Sequence, residues 1–342
     1  MKEVLNLATG SRVRLRIMSH VAESYARFAE LEAAAVSAIY EQWGRGVAAD
    51  DEVQALIATL PRGKQQPNLV FAAVRSLGTP LVGYGEFRDR LLSDWAEVVP
   101  VILSRSTQTN EAGRCATLLP QLAAIDGPVA LLEVGASAGL CLYPDRYSYR
   151  YHSATGITTV DPPGGPSPVV LDCDLVGPAS VPVRVPEIVW RAGVDLNPLD
   201  VADPATLAWL EMLIWPEHDK RRKRLHAAAG IVAADPPLLV AGDLNLEVAE
   251  LASQAPDDAT LVLFHSAVLV YLTPEERSRF VDQASSLDVV WLSNEGTRVL
   301  PHVTKRVPAG VEPGGDFVLA RNGEPVALTG PHGQHYRALL TH

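Results

Sequence analysis

Seven residues, Glu133-Val-Gly-Ala-Ser-Ala-Gly139, gather a carboxylate, a hydroxyl and two glycines at the end of the apolar run Val129-Ala-Leu-Leu132. The run reads as a buried parallel strand and the small residues as a tight turn leaving it. Two chemistries use such a turn. In the first, bare backbone at Gly135, Ala136, Ser137 and Gly139 lets a nucleoside cofactor approach, while Glu133 orients it. In the second, Gly135-Ala-Ser-Ala-Gly139 is a nucleophile elbow, G-x-S-x-G, with Ser137 as the nucleophile.

Ligands of open parallel sheets collect at the carboxyl ends of the strands, so the residues closing each later run are the ones to weigh. The second run ends on Asp195-Leu-Asn197, the third on Gly242-Asp243, the fourth on His265-Ser266 with Tyr271 beyond, and the fifth on Asn294-Glu295. A carboxylate such as Asp195 accepts from the paired hydroxyls of a ribose, and Asp243 would accept from an adenine amino group. His265, Tyr271 and Glu295 are the candidate bases, should an acceptor have to lose a proton. The polar string from Arg105 to Arg114 would place Asn110, Glu111 and Arg114 over the turn. Tyr147, with Tyr143, Tyr149 and Tyr151, offers ring faces that attract a cation. Each residue also has a plainer reading: Asp195 and Asp243 as turn residues, His265 as a core histidine, the tyrosines as packing. The basic string Arg221-Arg-Lys-Arg224 reads as a solvated helix face. A hydrolase would need strands before the elbow, an oxyanion loop, and a later acid and histidine, for which Asp288 and His332 or His335 could be offered.

These residues must be held by two kinds of chain. From Val21 to about Ile125 the pattern is helical, with segments at Ser37–Val47, Asp50–Leu60 and from Pro67, then Phe87–Leu103 and Asn110–Ile125. From Gly127 short apolar runs (Ala130–Val134, Ile188–Leu196, Leu238–Gly242, Thr260–Phe264, Val289–Ser293) alternate with helical ones (Pro204–Leu213, His218–Ala234, Val248–Ser253, Pro274–Ser286). Such alternation predicts an α/β fold, a doubly wound and mostly parallel sheet. Phe317 to Leu328 reads as a β-hairpin on Asn322-Gly323. The expected division is a helical lid region over 18–125 and a Rossmann-like domain over 126–342. Residues 144–187 enter the latter as an inserted β segment.

The chain is long enough, at 342 residues, for a substantial core. Its net charge of −11 opposes phosphate-driven nucleic-acid binding. Three cysteines without metal spacing predict reduced, buried thiols and no metal site. No apolar run reaches the length of a membrane span. Arg12, Arg14 and Arg16 are not followed by an apolar stretch, which predicts no signal peptide, a loose extension over the first seventeen residues and a cytoplasmic protein.

In order and position, Glu133-x-Gly135-x-Ser137-x-Gly139, Asp195 and Asp243 resemble the class I methyltransferases that use S-adenosylmethionine. The resemblance implies that the turn holds the methionine part, Asp195 the ribose and Asp243 the adenine. It sets His265-Ser266 beside the transferred methyl group, and leaves the methyl acceptor unidentified. Asp195 follows Glu133 by 62 residues, where a compact strand–helix–strand unit places its acid about 20 on. There is no Asp/Asn-Pro-Pro-Tyr string after the fourth run, which keeps a non-catalytic nucleoside-binding or interaction protein as the alternative. The whole chain is also similar to a bacterial family of unknown function. Pro67-Asn-Leu69, Arg105-Ser-Thr-Gln-Thr-Asn-Glu111 with Arg114, Leu132–Leu140 and Trp215-Pro-Glu-His218 carry that similarity.

Overall fold

The computed structural model describes residues 20–108, 110–177, 179 and 181–339. The extension expected over the first seventeen residues lies outside them. The chain forms two compact units, one of residues up to Thr109 with Leu207–Arg222, the other of Asn110–Thr206 with Lys223 onward.

In the first unit the helices are α1 (20–28), running into a π-helical turn at Ala29–Ala33, α2 (Ala38–Ala48), α3 (Asp51–Ile57), α4 (Pro67–Ser76), α5 (Tyr84–Ser93) and α6 (Trp95–Ser104). Their starts follow from local chemistry. Ser37 caps α2 by accepting from Tyr40 N, and Asp50 caps α3 by accepting from Glu52 N and Val53 N. Pro67 opens α4, where its missing N–H costs nothing. The single segment expected over Phe87–Leu103 is two helices, broken at Asp94. Trp43 stacks on Phe87 at 4.2 Å, and Tyr40 and Phe71 close the same core. Trp209 joins it from the returning segment. Large rings give this small helical unit its burial.

The second unit is built on one eleven-stranded sheet. Its strands are β1 (Pro128–Val134), β2 (Ser148–Ser153), β3 (Gly156–Val160), β4 (Val170–Val176), β5 (Glu187–Asp195), β6 (Leu238–Ala241), β7 (Thr260–Ser266), β8 (Val290–Gly296), β9 (Phe317–Arg321), β10 (Glu324–Thr329) and β11 (His335–Ala338). The order is β3-β2-β4-β11-β10-β9-β8-β7-β1-β5-β6. The five strands expected from alternation, β6-β5-β1-β7-β8, are mutually parallel. Numbered among themselves they run 3-2-1-4-5, the order of doubly wound sheets, with the direction of winding reversing between β1 and β7. The helices of this unit are α7 (Cys115–Leu122), α10 (Leu244–Ala252), α11 (Pro274–Ser286) and a short α12 (Pro301–Thr304), with α9 (Asp219–Ala234) from Lys223 on; α8 (Pro204–Leu213) belongs to the first unit from Leu207. The expected hairpin is β9–β10. Asn322 and Gly323 both take the positive φ that a tight hairpin turn requires.

Four expectations are corrected. The inserted segment does not hang off the sheet but extends it, because β11 pairs with both β10 and β4. Neither β11 nor β3 was anticipated; both are short, four and five residues. The helix over Asn110–Ile125 is shorter, since Glu111 accepts from Gly113 N at 3.0 Å and fixes a 3-10 turn (Ala112–Arg114) before α7. The unit boundary therefore falls at 109/110 rather than 125/126, because α7 belongs with the sheet. Tyr151 donates to Ala116 O at 2.7 Å, and Gln121 to Tyr336 Oη at 3.2 Å. Finally, α10 starts four residues before the expected Val248, capped by Asp243 through Asn245 N at 2.8 Å.

Candidate functional site

The carboxyl ends of β6, β5, β1 and β7 lie side by side, and the turn expected after β1 is there. Gly135 and Ala136 both donate to Val194 O, at 2.8 and 3.2 Å, so the chain leaves β1 still tied to β5. Gly135, Ser137 and Gly139 all have positive φ, and a 3-10 turn over Leu140–Leu142 follows instead of a regular helix. Ser137 holds its left-handed conformation without being glycine, and its surroundings must enforce it.

Two side chains do so. Asp195 Oδ2 accepts from Ser137 N at 2.9 Å, while its Oδ1 accepts from Asn197 N at 2.8 Å. Asn110 bridges the turn from outside, donating to Ser137 Oγ at 2.8 Å and accepting from Ala138 N at 2.9 Å. Asn110 thus reaches the turn as expected, and it belongs to the same unit as the sheet. Glu111 instead turns to Arg224, whose Nε and Nη2 lie 2.9 and 2.8 Å from Glu111 Oε1. Arg224 is therefore no solvated residue of a basic face. Arg114 is buried and donates to Ser266 O at 2.8 Å and Pro331 O at 3.0 Å.

The glycines have a protein explanation. A side chain at Gly135 would overlap Val268, one at Gly193 would overlap Ala136, and one at Gly139 would press on Pro237. The open space expected beside Gly135 is filled by Val268. Two of the amides expected to meet a ligand, those of Ser137 and Ala138, are taken by Asp195 and Asn110.

Glu133 is different. It is only 7% exposed, and its Oε2 is buried without a partner among the described residues. Burial first, then Cys141, push its carboxyl well above the ordinary 4.5; Arg114 acts in the opposite sense and Asp195 adds to the rise. Asp195 keeps acceptor capacity too, since each carboxylate oxygen has two lone-pair sites and the turn uses one of each. Asp243 sits at the end of β6, which neighbours β5, and uses Oδ1 to cap α10. The three expected acids stand on three laterally adjacent strands.

The candidate bases fare otherwise. His265 is fully buried, with Nδ1 2.7 Å from Glu295 Oε1 and Nε2 3.1 Å from Trp291 Nε1. Trp291 can only donate, so Nε2 accepts and the proton sits on Nδ1. No lone pair is left for catalysis, and the role of base is withdrawn from His265. Glu295 Oε1 also accepts from Val268 N and Leu269 N at 2.9 and 3.0 Å, which pins the segment carrying Val268. Tyr271 stands exposed on that segment. Ser266 Oγ accepts from Asn294 Nδ2 at 3.2 Å.

Tyr147 is corrected as a site wall. It is fully buried and donates to Leu140 O at 2.7 Å. Ser137 is corrected as a nucleophile. No strand precedes β1 among the described residues, and its Oγ is held by Asn110. Asp288 lies before β8, at the opposite strand ends, about 20 Å away along a parallel strand. His335 begins β11 and bonds Asp316 Oδ1 at 2.9 Å. Cys115, Cys141 and Cys173 are buried free thiols. Among the described residues no cluster of His, Cys, Asp or Glu could hold a metal ion, and no helix is long and apolar enough to cross a membrane.

Sequence reasoning missed Val268 and Trp291, because nothing local marks a residue whose partner is 133 or 26 positions away. Glu247, four residues past the capping Asp243, could have been found from that spacing.

Among known proteins, the family described as an uncharacterized protein conserved in bacteria (DUF2332) matches residues 22–337. No curated protein and no solved structure matches the chain.

Proposed function

We propose, for a chain that belongs to this bacterial family, that it binds S-adenosylmethionine at the carboxyl edge of β6, β5 and β1 and transfers its methyl group to an acceptor. The observation that carries this reading is the row of acids. Glu133, Asp195 and Asp243 close three adjacent parallel strands beside the point where the winding reverses, which is where such sheets bind nucleotides. The orphaned Oε2 of Glu133 fits an ammonium, the spare lone pairs of Asp195 fit ribose hydroxyls, and Asp243 fits an amino group. When bound, the cofactor supplies an electrophilic methyl carbon on a sulfonium. The protein's part is then to hold and orient, and Asp195 does both by fixing the turn and facing the ligand. With His265 locked, the site has no histidine base among the residues expected to serve as one. Methylation by orientation alone needs none when the acceptor already carries a free lone pair.

That same locking favours a second reading, binding without turnover. Calorimetry with S-adenosylhomocysteine tests both. Binding that Asp195→Ala weakens about tenfold or more, with the variant still folded by circular dichroism, supports the site. No binding to the wild type removes it. Binding without labelled-methyl transfer to any fraction of a bacterial extract selects the second reading.

A further inference from the structure

We infer that Arg114 and Ser266 form a subsite for a carboxylate beside the β1 turn; the identity of the acid rests on the methyl-transfer reading. Arg114 is 7% exposed, yet its guanidinium is only partly spent. Nε donates to Pro331 O and Nη1 to Ser266 O, while Nη2, with two N–H groups, has no partner among the described residues. Arg277, which reaches the segment closing β7, spends all three nitrogens on Leu269 O, Val299 O and Leu272 O. No carboxylate stands at ion-pair distance from Arg114 among the described residues. Glu111, three residues earlier, pairs with Arg224 instead.

Ser266 supplies a second free donor, and the hydrogen bonds behind it fix its direction. Thr329 Oγ1 donates to Asn294 Oδ1 at 2.7 Å, which leaves Asn294 Nδ2 to donate to Ser266 Oγ at 3.2 Å. The serine oxygen is an acceptor on that side, so its own hydrogen points elsewhere. It meets no acceptor among the described residues. Ser266 too is 7% exposed. Arg114 Nη1 lies 2.8 Å from Ser266 O, so the spare nitrogen and the spare hydroxyl belong to touching residues.

The ladder sets both beside Glu133. Ser266 pairs with Asn294 across β7–β8 and Phe264 with Glu133 across β7–β1, so Ser266, Asn294 and Glu133 share one face of the sheet. Arg114 acts on the Glu133 carboxyl electrostatically without a hydrogen bond to it. Two unspent donors, one of them charged, match the two oxygens of a carboxylate, which only accepts. A phosphate dianion brings more charge than one guanidinium balances.

Two ligands of the methyl-transfer reading carry such a group: the cofactor at its amino-acid end, and an acceptor of the carboxylic acid class. The second suits a site whose histidine is locked. One carboxylate oxygen gives a lone pair to the methyl carbon, the carbon–sulfur bond breaks, and its electron pair stays on sulfur. A methyl ester and a neutral thioether result, and no proton moves.

Two matched pairs of probes test the subsite by calorimetry on the full chain. Phenylacetate is compared with phenylacetamide, alone and with S-adenosylhomocysteine bound, and S-adenosylhomocysteine with its decarboxylated analogue. In at least one pair the carboxylate should bind about tenfold tighter. Ser266→Ala should cut that preference about threefold or more, and Arg114→Lys, which loses the planar fork, should erase it. Circular dichroism checks both folds, and Ser266→Ala decides alone if the lysine variant is unfolded. A preference for phenylacetate that persists with S-adenosylhomocysteine bound assigns the subsite to an acid acceptor. One that S-adenosylhomocysteine abolishes, or that is confined to the adenosyl pair, assigns it to the cofactor's own carboxylate. No preference in either pair, or one that Ser266→Ala leaves intact, overturns the inference. A protein that ignores both adenosyl ligands yet prefers phenylacetate keeps the subsite and loses the methyl-transfer reading.

Discussion

Two regions of the sheet handle buried polar groups in opposite ways. In the inserted half, Tyr147, Tyr149 and Tyr151 each donate to a backbone carbonyl, of Leu140, Pro144 and Ala116, and Tyr143 does the same to Asp235. Tyr149 and Tyr151 stack with planes 3° apart. Every hydroxyl in that row has a structural duty. At the end of β1, Glu133 is buried with an oxygen that has no partner among the described residues. Asp145, within that row, also has an unpartnered Oδ1, but its Oδ2 meets Arg191 at 2.6 Å. Leaving a buried polar atom unpaired costs about 1–3 kcal/mol, a cost that a donor brought by a ligand to Glu133 would recover.

The largest effect that sharpens this contrast is at the turn itself. Gly135→Val forces a branched side chain into Val268 at a positive φ, and urea denaturation should show a loss of about 3 kcal/mol or an unfolded chain. A normal melt would mean that Val268 does not occupy that space. Next comes His265→Ala, which leaves Trp291 Nε1 without its acceptor in the core, opens a cavity and removes one of three donors to Glu295 Oε1. About 2–3 kcal/mol should be lost in the same measurement. Tyr149→Phe leaves only Pro144 O unpaired and should cost about 1 kcal/mol. A change near zero would erase the structural duty assigned to the tyrosine row.

Glu133→Gln is smaller still at low pH and grows with pH. The folded carboxyl titrates higher than the unfolded one, so the folded state holds the extra proton. That contribution is whole below the ordinary 4.5 and is lost as pH rises through the folded value. The glutamine variant does not titrate and should therefore gain melting temperature on the wild type as pH rises above 4.5. A constant difference across that range would show that Glu133 is not held protonated.

Much of this arrangement was legible because it is local. Alternating runs gave the five parallel strands to within one or two residues at most ends. Asn-Gly marked the hairpin, and Ser37, Asp50 and Pro67 marked helix starts. The turn after β1 was legible as a turn, and Asn110 as its neighbour. What could not be read is where a side chain finds its partner across the sheet. His265 at a strand end looks identical whether it faces a ligand or lies between Glu295 and Trp291. The tyrosines at alternate positions gave a strand correctly, yet nothing in their spacing said which face was covered by α7. The pairing of β11 with β4 joins residues more than 150 apart, and no local pattern records it.

The most direct test compares S-adenosylhomocysteine with 5′-methylthioadenosine, which lacks the amino-acid part, on wild type and Glu133→Gln by calorimetry. If the orphaned carboxyl receives the ammonium, wild type binds S-adenosylhomocysteine more tightly, and Glu133→Gln erases that advantage while binding methylthioadenosine unchanged. Equal affinities for the two ligands in the wild type, or no binding of either by the folded protein, would contradict the account.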